Sequence, residues 1–145
     1  MKIQKILAPT DLSELSRLGL EYALDLAKGL NAEVTVFHVA EPVELAKYKA
    51  HSIQELVERH QEALARFLAE NFGELLQAVK VHQKVEIGTP DTSILEEAEK
   101  SGNDLIVMST HGRTGLSHLL MGSVTEKVMR LAPCPVLSVH QPRKK

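Results

Sequence analysis

At 145 residues, 43% hydrophobic and 25% charged, the chain has the make-up of one globular domain, large enough to bury roughly 70% of its unfolded surface. A formal charge of −2 and an aromatic content of 3% provide neither the basic footprint nor the stacking platforms of a nucleic-acid binder. No run approaches the roughly 20 apolar residues that cross a bilayer, and the apolar stretch in MKIQKILAPTD is short and soon followed by charge; no membrane association or signal peptide is expected, and a cytoplasmic location is.

The first β-rich run is IQKILAP (3–9). After it, Leu15, Leu18, Tyr22, Leu26 and Leu30 recur at three- and four-residue steps, which predicts a helix with one apolar stripe. The second run, AEVTVFHV (32–39), leads into AEPVELAKYKAHS (40–52), an irregular connection expected to lie over an edge of the sheet. Ile53, Leu56, Val57, His60, Leu64, Phe67 and Leu68 mark a longer helix of about 20 residues, in which His60 reads as a partly buried core histidine rather than a ligand. The third run, AVKVHQKVEI (78–87), alternates strictly, with Lys80, His82, Lys84 and Glu86 on one side. Thr89, Pro90 and Gly102 punctuate the next helix as cap, first helical residue and the position past its end. The fourth run, DLIVMS (104–109), and the fifth, CPVLSV (134–139), bracket STHGRTGLSHLLMGSVTEKV (109–128). Cys134 is the single cysteine, which excludes an internal disulfide, and its place between Pro133 and Pro135 predicts a buried, inert thiol. Arg143, Lys144 and Lys145 read as a solvated end.

Strands alternating with helices require crossover connections, which yield a parallel sheet covered on both faces. The nearly continuous apolar runs ILAP, VTVFHV and LIVM fit interior strands, and the alternating third run fits an edge. With right-handed crossovers the strand order is 3-2-1-4-5, an α/β, Rossmann-like fold. The order reverses between strands 1 and 4, and ligands in such sheets bind outside the carboxyl ends of the strands at that point. APTDLS and STHGRTG line this crevice.

Gly112 and Gly122 let backbone approach a ligand closely. Ser123 and Glu126 are spaced as a capping box at the start of a helix running to about Leu131, whose first amides and dipole suit an anion, phosphate above all. A structural reading stands beside it, in which Ser123 is only a cap and the glycines serve a long surface loop. The G-x-x-x-x-G-K-[ST] phosphate loop and the G-x-G-x-x-G dinucleotide fingerprint are both absent.

On these residues the chain from about 2 to 140 resembles the universal stress protein family in its single-domain form. The first strand ends in hydrophobic-x-Pro-x-Asp-x-Ser (APTDLS), the second in His38-Val39, and the family's G-x2-G-x9-G-[ST] loop is matched by Ser109-x2-Gly112-x9-Gly122-Ser123. The resemblance implies a homodimer and, in one branch of the family, binding of ATP or another adenine nucleotide, AMP or ADP. It places Pro9, Thr10 and Asp11 toward adenosine, Val39 on adenine, Met108 and Ser109 beside adenine and ribose, and Gly112, Gly122, Ser123 and Val124 around the phosphates. Arg113 is a candidate to screen those phosphates. Ser109 departs from the pattern's first glycine; its side chain either crowds the ribose or bonds to it.

Phosphoryl transfer needs a metal, a positioned nucleophile and cationic stabilisation. No catalytic residue is assigned, because Arg113, His111 and Asp11 each have a simpler role in the loops, and any Mg or Mn is expected to arrive with the phosphates rather than in a protein cage. The apolar fifth strand, Pro135 to Val139, lies at an open edge and is expected to pair with a second copy. The resulting expectation is a dimeric, nucleotide-responsive regulatory module acting in stress response with an unknown protein partner. A slow ATPase or phosphotransferase, and a dimeric interaction protein that binds no nucleotide, remain as alternatives.

Overall fold

The computed structural model describes residues 1–110 and 122–141. The elements follow in the order β1 (Lys5–Pro9), α1 (Ser16–Leu30), β2 (Glu33–Ala40), α2 (Glu44–Lys47), α3 (Ile53–Ala78), β3 (Val81–Ile87), α4 (Pro90–Lys100), β4 (Leu105–Ser109), α5 (Ser123–Leu131) and β5 (Val136–Val139). The five strands form one sheet in the order β3-β2-β1-β4-β5, with every pairing parallel. The order read from the sequence and the edge position of β3 are both observed.

The two-residue period of the interior strands divides the core in two. Ile6 and Ala8, with Val34, Val36 and Val107, pack against α1 and α3 through Leu20, Leu24, Leu64 and Leu68. Leu7, Phe37, Ile106 and Met108 point the other way, onto Ile94 and Ala98 of α4 and Val128 of α5. Residues adjacent in sequence thus enter opposite clusters, which is why β1 and β4 read as continuous apolar runs.

Several local expectations are corrected. The buried face of α1 consists of Ser16, Gly19, Leu20, Ala23, Leu24 and Ala27, whereas Tyr22 is 53% exposed and Leu30 46%. The stripe of large residues lies beside the contact face, because small residues bring this helix close to the sheet: a Cβ on Gly19 would sit 2.6 Å from the Ser109 nitrogen. The long helix α3 spans 26 residues and bends at Phe72 (φ −136°, ψ 27°); its last residue, Ala78, delays the start of β3. His60 is buried as expected, and Ile53 is exposed. Lys84 does not merely face solvent from the edge strand: its Nζ lies 2.6 Å from Oε1 of the buried Glu97 on α4. Thr89 and Pro90 occupy the expected first positions of α4 and Gly102 has φ 62°, but the Thr89 side chain makes no capping bond. The capping box of α5 does not form either. Gly122 is the N-cap, its carbonyl accepting the Glu126 amide at 2.9 Å, so Ser123 falls one position inside the helix.

Candidate functional site

A cavity of about 430 Å³ opens at the carboxyl ends of β1 and β4, where the strand order reverses, within the size range of small-molecule sites. Pro9, Thr10 and Asp11 enter from β1, Val39 from β2, and Met108 and Ser109 from β4; Gly122, Ser123 and Val124 close it from the start of α5. These are nine of the eleven residues singled out in the sequence. Gly112 and Arg113, with His111, lie outside the described residues.

The loop after β1 is rigidly organised. Thr10 extends the strand pairing through its amide to the Phe37 carbonyl (2.9 Å), and Leu12 takes φ 65°, a left-handed turn held by its amide on Thr10 Oγ1 (3.0 Å). The Ser13 amide donates to Asp11 Oδ1 (3.0 Å), which orients the carboxylate at the cavity wall. The Ser16 hydroxyl donates to the Ser13 carbonyl (2.7 Å), leaving its oxygen to accept the Thr10 hydroxyl at 2.8 Å.

Opposite this loop, the Gly122 amide donates to the Thr110 carbonyl (2.9 Å) and the Thr125 hydroxyl to the Ser109 carbonyl (2.9 Å), fixing the first turn of α5 against the end of β4. The leading amides of α5 have no intrahelical acceptor, and they bring positive dipole to the cavity rim. Ser109 lines the cavity, and its hydroxyl has partners within the protein. Its hydroxyl is directed at α1, donating to the Leu15 carbonyl (2.8 Å) and accepting the Gly19 amide (2.9 Å).

The connection after β2, expected over a sheet edge, instead walls the cavity: Glu41, Val43, Glu44 and Lys47 line it, and residues 44–47 form the short helix α2. Sequence reasoning missed these residues, because no periodicity marks a four-residue helix. It also missed the buried chain beneath them. The Thr10 carbonyl accepts from His38 Nδ1 (2.9 Å), His38 Nε2 and His60 Nδ1 are 2.8 Å apart, and His60 Nε2 is 3.7 Å from Glu44 Oε1. A histidine inside an apolar strand was the available signal, since a buried imidazole requires partners. Among the described residues no group of three or more His, Cys, Asp or Glu side chains is arranged to hold a metal. Cys134 is half-buried rather than buried, and desolvation, followed by the charge of Asp104, pushes its thiol pKa up, away from the reactive thiolate.

The family model for the universal stress protein family matches residues 2–140. The chain belongs to the universal stress protein family. This universal stress protein is 40% identical to Universal stress protein MJ0531 of Methanocaldococcus jannaschii, over 97% of this chain and 84% of that one. It is 31% identical to MJ0577 of the same organism, over 95% of each chain, and the solved structure of MJ0577 superposes with a TM-score of 0.74, covering 99% of this chain and all of that one. A universal stress protein solved in complex with cAMP shares the fold at a TM-score of 0.66 and 24% identity, over 98% of this chain and 100% of that one. Among the described residues of this family member, no helix is long and apolar enough to cross a membrane.

Proposed function

We propose that the cavity binds an adenine nucleotide, ATP or a smaller relative, and that the protein is a homodimeric, nucleotide-responsive module in stress response. The observation that carries this reading is convergence. Nine residues from four separated segments, which the family resemblance assigns to nucleotide contact, line one cavity at the switch point of the sheet. Val39 and Met108 offer apolar walls to the base, Asp11 offers acceptors to the ribose, and Gly122 with the leading amides of α5 faces the phosphates. Mg or Mn would arrive with the phosphates. The cAMP complex of a fold relative is consistent with an adenine nucleotide fitting this architecture.

Dimerisation is supported by the sheet's open end. Among the described residues β5 has a neighbouring strand on one side only, and Leu137 on it is 39% exposed.

Calorimetric titration and melting with Mg-ATP test the reading together. Saturation near 100 times the dissociation constant adds about 2.7 kcal/mol, a rise of roughly 5–10 °C. The rise should vanish in Gly122→Val, which puts a branched side chain at the phosphate end. No heat and no shift with ATP, ADP, AMP or cAMP rejects the nucleotide reading. Release of ADP and phosphate over many turnovers would instead favour an ATPase or phosphotransferase.

A further inference from the structure

We propose that Ser109 and Gly19 are positioning residues of the nucleotide site, a matched pair whose contact sets the spacing of its two walls, with the Ser109 hydroxyl engaged by α1 even though the residue lines the cavity; this rests on the nucleotide reading above. Ser109 stands where the family's loop pattern begins with glycine, and a serine there would be expected to intrude on the ribose. The hydroxyl points elsewhere. It lies between the Leu15 carbonyl and the Gly19 amide, an acceptor and a donor four residues apart in the first turn of α1. One hydroxyl therefore engages both groups and joins the start of α1 to the end of β4.

The consequence reaches the cavity by two routes. On one side, α1 begins at Ser16, whose hydroxyl organises Thr10 and Ser13 and with them the turn that carries Asp11. On the other, the carbonyl of Ser109 accepts the Thr125 hydroxyl and so locates the first turn of α5, which faces the phosphates in the proposed pose. Both walls are referenced to one residue.

Gly19 makes this approach possible. A Cβ there would lie 2.6 Å from the Ser109 nitrogen and 2.9 Å from the Met108 carbonyl carbon, both backbone atoms that cannot swing aside, as well as 2.8 Å from Ser109 Oγ. Any larger residue pushes α1 off β4 and carries the Asp11 turn with it. Removing the Ser109 side chain would not relieve the clash, because two of the three close atoms remain. The pair also reverses the sign of an obvious engineering idea: restoring the family's glycine at 109 deletes the bridge and weakens binding.

The test measures affinities for ATP and adenosine by calorimetry well below the melting temperature, where every molecule is folded and a loss of global stability leaves affinity unchanged. Amide hydrogen exchange at Gly19 is followed in parallel. Ser109→Ala and Ser109→Gly should weaken both ligands by roughly three- to tenfold and speed exchange at Gly19, and Ser109→Thr, which keeps the hydroxyl, should restore both. Gly19→Ala should weaken binding further, with no recovery in the Gly19→Ala, Ser109→Gly double variant. Unchanged or tighter binding by Ser109→Gly overturns the proposal. If the parent protein binds no adenine ligand, the nucleotide reading fails and the functional role of the pair falls with it; Gly19 exchange then reports whether the bridge exists, and unchanged exchange in Ser109→Ala removes that as well.

Discussion

His38 and His60, 22 positions apart, meet in the core with Nε2 and Nδ1 at 2.8 Å. The Thr10 carbonyl can only accept, so His38 Nδ1 carries a proton, and in neutral His38 the Nε2 atom accepts from His60 Nδ1–H. His60 Nε2 is thereby turned toward Glu44, which is 7% exposed and whose Oε2 already accepts the Glu41 amide at 2.8 Å. The chain links the carbonyl at the end of β1 to His60 on α3, whose ring lies beside the Glu44 carboxylate of α2, a wall of the cavity.

Replacing His60 with leucine preserves bulk but removes the donor to His38 and the ring that faces the Glu44 carboxylate. The expected loss is about 2–4 kcal/mol, read as a lower urea midpoint. Affinity for adenine nucleotides should fall as well, because Glu44 and Lys47 line the cavity. A variant as stable as the parent would show that the chain contributes nothing net.

Asp104 gives a stability effect with a defined pH sign. Its Oδ2 accepts the backbone amides of Gln4 and Lys5, both at 2.9 Å, which tie the start of β1 to the approach to β4. Those amides, first Gln4 and then Lys5, hold its carboxyl below the ordinary carboxylate range. A depressed folded pKa means stability that is fully present above the unfolded value, about 3.9, and lost as pH falls through the folded one. Asp104→Asn should therefore be less stable than the parent at pH 7. The gap should narrow as pH drops past about 4 and close below the depressed value, as followed by denaturant midpoints across pH. A gap that stays constant with pH would contradict the role of the charge.

The sheet order was legible in the sequence because it rests on patterns that tertiary context rarely overrides, and half of the cavity residues were legible through the family's motifs. Uninterrupted apolar runs identified the interior strands, and right-handed crossovers left one simple topology. The contact face of α1 was not legible. A hydrophobicity pattern ranks Leu and Tyr above Gly and Ala, whereas close packing on β4 required Gly19 and Ala23. Hydrogen-bond partners distant in sequence were hidden as well: nothing in the chain connects Ser109 to Leu15 or His38 to His60 until the strands are laid side by side. The box of Ser123 and Glu126 misled by one residue because Gly122, with no capping side chain, ends the extended segment itself.

Lys84 and Glu97 form the tightest ion pair between β3 and α4. The hydrogen bond that Lys84 donates to Glu97 raises the Lys84 pKa against the opposing effect of burial. A raised folded pKa gives stability that is fully present below the unfolded lysine value, about 10.4, and lost as pH climbs through the folded one. Lys84→Met leaves the buried Glu97 carboxylate with the Ser101 hydroxyl (2.7 Å) but without its cation. The cost should be about 2 kcal/mol, less than for a fully buried pair because 36% of the Lys84 side chain meets solvent. Thermal melts at pH 7 and above pH 11 check both size and sign, since the difference between variant and parent should shrink in alkali.

The proposed dimer makes its sharpest prediction at Leu137. Among the described residues β5 pairs only with β4, which leaves the outer row of its amides and carbonyls without a strand partner, and Leu137, Met129 and Leu131 add exposed apolar surface on β5 and α5. Pairing with a second copy would satisfy that row and cover the leucine, whereas a charge at this position opposes both. Leu137→Lys should shift the protein from dimer to monomer in sedimentation equilibrium without loss of far-ultraviolet dichroism, because the side chain is already 39% exposed in the folded chain. It should also leave ATP affinity of the folded monomer near that of the parent, since Leu137 is not among the residues lining the cavity. A parent protein that sediments as a monomer would reject the dimer, and a Leu137→Lys variant that remains fully dimeric would place the interface elsewhere.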